Sequence, residues 1–199
     1  MVIAIRHGET DWNAKKSPGG GKNPGGDAEI LRGNIDVPLN AEGKAGVEES
    51  AQEICQYPVL EVRSTPNYLR ATQTRHIIAR VCSEAHGFHV PEKDAPELDP
   101  YDVGALSGKP VINILPLLML LIDIPFLKAP GGESFQNYAD EFTNYWHQTY
   151  TEYGGDDSRA VVLVLFGNEF RLLPAITEGK PIDKYTQQKV KPGDFVVIH

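Results

Sequence analysis

Apolar residues recur along this chain with two periods, and the switches between them mark its elements. Residues 2–5, Val-Ile-Ala-Ile, are apolar at every position and predict a short strand buried on both faces. Over 41–56, Val47, Ala51, Ile54 and Cys55 share one helical face, and Pro58 closes that helix. Residues 59–63 predict a strand. Ser64-Thr65-Pro66 opens a second helix, with Thr65 or Asn67 as its cap, that runs to about residue 83. The stretch 85–110, rich in Pro, Gly and Asp, predicts an ordered loop. Residues 111–122 predict a helix that Pro116 kinks or splits. An aromatic-rich helix follows over 135–152. Ala160 to Phe166 is the strongest strand of the chain and, apolar on both faces, belongs at the centre of a sheet. A short helix over 169–178 and a strand over 195–198 complete the pattern. Alternating strands and helices predict a three-layer α/β/α sandwich with a mostly parallel sheet, one domain over 1–199.

Two segments interrupt this order. Residues 17–26 hold five glycines and two prolines and read as part of an exposed insertion at about 14–30. This segment is no phosphate-binding P-loop, because Gly21-Lys22 is followed by Asn23 and no strand feeds it. The longest apolar run, Val111 to Leu127, is broken by Pro116, Asp123 and Pro125 and falls short of a membrane span. It reads as a buried helix, or as a cap over a cleft at about 105–128.

Charge narrows the partners. Nineteen Lys+Arg against twenty-seven Asp+Glu leave a formal charge of −8, which argues against broad binding of nucleic acid or an anionic membrane. Any anion must be held by a small cluster of cations. Two cysteines, Cys55 and Cys82, are too few for a disulfide scaffold or a zinc finger. They read as two core thiols in a reducing cytosol, and the chain as cytoplasmic.

In open α/β sheets, ligands sit beyond the carboxyl ends of the central strands. Two such ends carry polar clusters: Arg6-His7-Gly8-Glu9-Thr10-Asp11-Trp12-Asn13, and Ser64-Thr65 with Arg70 one turn later. A neutral imidazole attacks phosphorus when its other nitrogen donates to a fixed carbonyl. Flanking guanidinium groups hold the phosphoryl oxygens, Asn13 adds an amide donor, and Gly8 admits close approach to the backbone. Glu9 and Thr10 read as residues that orient this loop. Lys15, Lys16 and Lys22 read as a solvated loop. Phe142, Tyr145, Trp146 and Tyr150 have helical spacing and read as core or as a homodimer surface.

Arg6-His7-Gly8-Glu9-Thr10, with Trp12-Asn13 behind it, resembles the signature of the histidine phosphatase superfamily, which includes the cofactor-dependent phosphoglycerate mutases. Leu31-Arg32-Gly33-Asn34-Ile35-Asp36-Val37-Pro38-Leu39 with Gly43 resembles the family's second block. Ser64-Thr65-Pro66 through Leu69-Arg70-Ala71 resembles the block with a second phosphate-binding arginine, and Gly132-Glu133-Ser134 the segment ahead of a long helix. The resemblance implies a phosphoglycerate mutase-like fold and hydrolysis of a small phosphorylated metabolite. His7 would take the phosphoryl group, Arg6, Asn13 and Arg70 would hold its oxygens, and neither metal nor organic cofactor would be required.

Two positions depart from the family. Its second histidine falls at Phe166, in Leu165-Phe166-Gly167-Asn168, and its glutamate general acid falls at Pro100. Asp99 and Asp102 flank Pro100. Asp102, nearer to Gly104, is the preferred acid, against the plainer reading of a turn-forming aspartate. Asn168 is a candidate amide donor toward the phosphate. None of His76, His86, His89, His147 or His199 sits at a strand end beside His7. These departures keep two rivals open: a phospho-ligand-binding pseudoenzyme, and a mutase, which the missing second histidine disfavours.

Overall fold

The computed structural model describes residues 1–12, 30–179 and 190–199. Its elements are β1 (Val2–Arg6), α1 (Ala41–Ile54), β2 (Val59–Ser64), α2 (Leu69–His86), β3 (Glu92–Asp94), α3 (Val111–Asp123), α4 (Phe135–Tyr153), β4 (Ala160–Leu165), α5 (Gly167–Glu178) and β5 (Phe195–Ile198). The sheet runs β3-β2-β4-β1-β5. All its pairings are parallel except that of β5, which joins β1 antiparallel. The all-apolar β4 therefore lies at the centre, where both faces are covered.

Strand alternation divides the core. Val2 and Ala4 of β1, with Val161, Leu163 and Leu165 of β4, pack under α4, α5 and Leu121 of α3. Ile3 and Ile5, with Val162 and Val164, pack under α1 and α2 on the opposite face. The register pairs Arg6 with Leu165, and His7 continues it, its N–H donating to the Leu165 carbonyl at 3.0 Å. One step beyond each strand, His7 and Phe166 therefore emerge on the α1/α2 face. Arg6 belongs to the other face.

Several expectations need correction. The second helix starts at Leu69, and neither Thr65 nor Asn67 caps it. Its N-terminus is capped from outside, by Asp36 Oδ1 accepting from the Leu69 N–H at 2.8 Å. Thr65 Oγ1 instead accepts from Asn67 N at 3.1 Å. Pro116 lies inside an unbroken α3. The carbonyl it frees belongs to Ile112, a residue 71% exposed on the solvent side of the helix. The stretch 85–110 contains β3 and two single 3-10 turns, Pro96–Leu98 and Gly104–Leu106.

Cys55 and Cys82 are not free thiols: they form a disulfide joining the end of α1 to α2, with Cα atoms 5.0 Å apart. The two helices pack side by side on one sheet face, which brings their sulfurs within bonding range. The bridge removes the cysteine argument for a reducing compartment. Phe142 and Trp146 are core residues, whereas Tyr150 is exposed. Among the described residues, no helix is long and apolar enough to cross a membrane. The glycine-rich stretch 17–26, Asn13 and Lys15, Lys16 and Lys22 lie outside the described residues.

Candidate active site

His7 is 1% exposed and sits just past the end of β1. Its Nδ1 lies 2.8 Å from the Gly8 carbonyl oxygen. A carbonyl only accepts, so Nδ1 carries the proton and Nε2 keeps its lone pair. Burial pushes the imidazole pKa well below its ordinary 6.5, and the charges of Arg32, Arg70 and Arg6 push it further. The ring is therefore neutral, with one nitrogen poised to act as a base or nucleophile.

The loop after β1 is held by α1. The Glu9 carbonyl accepts from Asn40 N at 3.0 Å, and its carboxylate accepts from Asn40 Nδ2 at 2.9 Å. Asn40 in turn caps α1, its Oδ1 accepting from Gly43 N at 2.7 Å. The backbones approach closely. A Cβ on Gly8 would lie 2.7 Å from the Gly43 oxygen, and one on Gly43 would lie 2.1 Å from the Glu9 oxygen. The demand for glycine at position 8 thus comes from packing against α1 rather than from a ligand. Gly8 N also donates to Thr74 Oγ1 of α2 at 3.1 Å.

Arg70, in the first turn of α2, is fully buried. Its Nη1 donates to the Ile35 carbonyl at 2.9 Å and its Nη2 to the Gly33 carbonyl at 3.3 Å, while Nε has no hydrogen-bond partner among the described residues. Asp36 lies 3.9 Å away. The guanidinium sits 4.8 Å from the ring centroids of both Tyr68 and Phe166. Two aromatic faces stabilise a desolvated cation by roughly 2 kcal/mol or more each. Desolvation still lowers its pKa to about 10, so it stays charged at neutral pH.

Phe166 packs beside the imidazole. Its ring lies 5.3 Å from that of His7 and 5.7 Å from that of Tyr68. It is buried and offers neither donor nor charge. Its N–H donates to Glu169 of α5, whose fully buried carboxyl is pushed well above its ordinary range by desolvation and then by Asp99.

The other candidates fall around this centre. The Arg6 guanidinium lies against Gly167, 3.7 Å from where a Cβ would sit, and donates to the Val190 carbonyl. Asn168 is half-buried in the first turn of α5, and its amide is not joined to His7 or the arginines. Asp102 lines a neighbouring cleft of about 370 Å³. Its Oδ1 accepts from Gly104 N at 2.8 Å, the turn-forming geometry, while its N–H donates to Glu133 Oε1 at 2.9 Å. Gly104 is required there: its φ is +50°, and a Cβ would meet the Pro130 oxygen at 2.3 Å. Pro100 lines the same cleft. Asp99 is tied to α2's approach, both its oxygens accepting from Asn67 Nδ2, at 3.1 and 2.9 Å, and Oδ1 also from Thr65.

Two contributors escaped sequence reasoning. Arg32 exerts the strongest charge effect on His7. It stands inside the quoted Leu31-Arg32-Gly33 block, and that block was the available clue. Tyr68 had no such clue, because only the fold lays its ring on Arg70.

The family "Histidine phosphatase superfamily (branch 1)" matches this chain over residues 2–199. Phosphoglycerate mutase-like protein 4 of Arabidopsis thaliana is 24% identical over 179 residues, 86% of this chain and 68% of that protein. Among solved structures, mycobacterial glucosyl-3-phosphoglycerate phosphatase with VO3 superposes with a TM-score of 0.74 at 18% identity, over 98% of this chain and 88% of that one. Phosphoserine phosphatase from Entamoeba histolytica, in complex with 3-phosphoglyceric acid, gives 0.73 at 17% identity, over 98% and 87%. At these identities the likeness is one of fold.

Proposed function

This chain belongs to the histidine phosphatase superfamily (branch 1), and we propose that it is a phosphomonoesterase acting through a phosphohistidine on a small phosphorylated metabolite. The observation that carries this reading is the state of His7. Its Nδ1–H is fixed on the Gly8 carbonyl, Nε2 is left with its lone pair, and burial, aided by three arginine charges, keeps the ring neutral.

In the reaction, Nε2 attacks phosphorus and the ester oxygen leaves. Water then attacks the phosphohistidine and releases inorganic phosphate. Arg6, Arg32 and Arg70 stabilise the charge on the equatorial oxygens, which is where most catalysis of phosphoryl transfer arises. Asn13 and Asn168 remain candidate amide donors. Asp102 protonates the leaving oxygen through its Oδ2, because Oδ1 is engaged by Gly104. The segment 105–128 serves as a cap that shapes specificity.

Trapping the phosphoenzyme in a quench without acid tests the reading. Label should appear in the wild type and vanish in His7→Ala, with kcat/KM falling at least about 10³-fold. Equal labelling of both proteins excludes the mechanism. Asp102→Asn retains the acceptor for Gly104 and should slow alkyl phosphates by about 10²–10⁴ while sparing aryl phosphates.

One observation favours a second reading, a phospho-ligand-binding protein without turnover: the donorless Phe166 packed on His7. Calorimetry with phosphate beside a sensitive phosphatase assay separates the two.

A further inference from the structure

α3 is not the buried helix that its composition predicts. Ile114, Leu118 and Leu121 turn inward onto the core. Ile112, Leu115, Leu117, Met119 and Leu120 are exposed, and Phe126, just beyond the helix, is 74% exposed. At about 100° per residue the exposed face centres on Pro116, opposite the inward set. A helix that is apolar all round is ordinarily covered on every side. These six side chains present roughly 700 Å² of surface, more than the largest apolar patch of a typical monomer.

The rest of the chain does not supply the cover. Residues 13–29 contain no Val, Ile, Leu, Met, Phe, Tyr or Trp, and 180–189 contain one Ile and one Tyr. None of the six exposed side chains lines the cleft that Pro100 and Asp102 share, so the face is turned away from that site. An anionic membrane fits poorly. Helices that lie in such surfaces carry Lys and Arg along one side. α3 has neither, and the chain's formal charge is −8.

A second copy of the chain fits in area and in charge. Standard interfaces take about 800 Å² from each partner, close to what this face offers. Between residues 109 and 127 the only charged side chains are Lys109 and Asp123. Both are exposed, and neither is in an ion pair among the described residues. Lys109 stands seven residues before Pro116, and Asp123 seven after it. A twofold axis through Pro116 that pairs α3 antiparallel with its copy therefore sets each Asp123 against the other copy's Lys109. The same axis sets Ile112 against Leu120 and Leu115 against Leu117. Two chains of like net charge repel, and a neutral face closed by two opposite-charge pairs lets them meet.

We infer that the protein forms a homodimer through the outward face of α3, with Pro116 on the twofold axis and an Asp123–Lys109 pair at each end. The inference is independent of the phosphatase reading. It places the dimer surface on α3 rather than on the aromatic α4, whose Phe142 and Trp146 are spent in the core.

Sedimentation velocity on the whole chain at about 50 µM should show a dimer that dissociates on dilution. Leu120→Glu should give a monomer at that concentration with unchanged far-ultraviolet circular dichroism, and Tyr150→Glu on α4 should leave the dimer intact. Asp123→Lys and Lys109→Glu should each weaken the dimer by about tenfold, and the two together should restore it. With the native cysteines joined, Pro116→Cys carries a single free thiol, and diamide should cross-link two copies through it. A monomeric wild type, a dimer that survives Leu120→Glu, a dimer that only Tyr150→Glu splits, or charge reversals that fail to rescue one another would overturn the inference. If Leu120→Glu does not fold, the charge exchange and the cross-link decide alone. A wild type that stays monomeric and sediments with phosphatidylcholine vesicles would overturn it in favour of a membrane.

Discussion

The ring of Phe166 lies 5.3 Å from the ring of His7, and both follow directly from adjacent, parallel strands in register. Period-two alternation puts them on one face, so the residue after β4 always borders the imidazole. A side chain there that donates hydrogen bonds would face the phosphoryl group. Phenylalanine instead packs on His7 and Arg70. We expect Phe166→His to raise kcat/KM for alkyl phosphates by about 10²–10³, the usual worth of one oxyanion donor. Phe166→Ala should leave a cavity and cost about 3–5 kcal/mol in urea denaturation. No gain in the histidine variant would mean that the arginines already supply all the stabilisation.

Protonation of His7 sets a pH dependence. Its folded pKa lies well below 6.5. Below pH 6.5 the unfolded chain therefore binds a proton that the folded chain does not. Stability then falls as pH falls, by up to about 1.4 kcal/mol per unit for this one group, until the folded pKa is reached. The stability difference between wild type and His7→Asn, followed by denaturant titration from pH 7 to 5, should move against the wild type. Ring carbon shifts in NMR should show a neutral His7 at pH 6.

Burying Arg70 beside Arg6 and Arg32 concentrates cations in a chain of net charge −8. An anion bound there relieves their mutual repulsion. Inorganic phosphate at a hundred times its Kd should stabilise the fold by about 2.7 kcal/mol. For a chain of this size that raises Tm by roughly 5–10 °C in calorimetry. Chloride at equal ionic strength should not do so, and Arg70→Gln should lose most of the shift.

The Cys55–Cys82 bridge closes a 27-residue separation between α1 and α2. The chain-entropy relation assigns such a loop about 3.5 kcal/mol. Dithiothreitol, or Cys82→Ala, should lower the midpoint of denaturation accordingly. An unchanged midpoint after reduction would show that helix packing alone sets the stability.

The histidine at the strand end, most of the elements and the mostly parallel sheet were legible in the chain because each rests on local pattern: all-apolar runs for β1 and β4, helical spacing for α1 and α4. The exposed, polar β3 carries no such pattern and was not. Local pattern misplaced the start of α2, because its cap, Asp36, comes from 33 residues away. It missed the disulfide, whose partners meet only when α1 and α2 lie on the same face. Nor does composition betray that Arg32 reaches His7 or that Tyr68 and Phe166 enclose Arg70. Short-range periodicity dictates which way a side chain faces on its own element. Which distant side chains share its space is decided only when the layers pack, since contacts between remote segments leave no period in the chain.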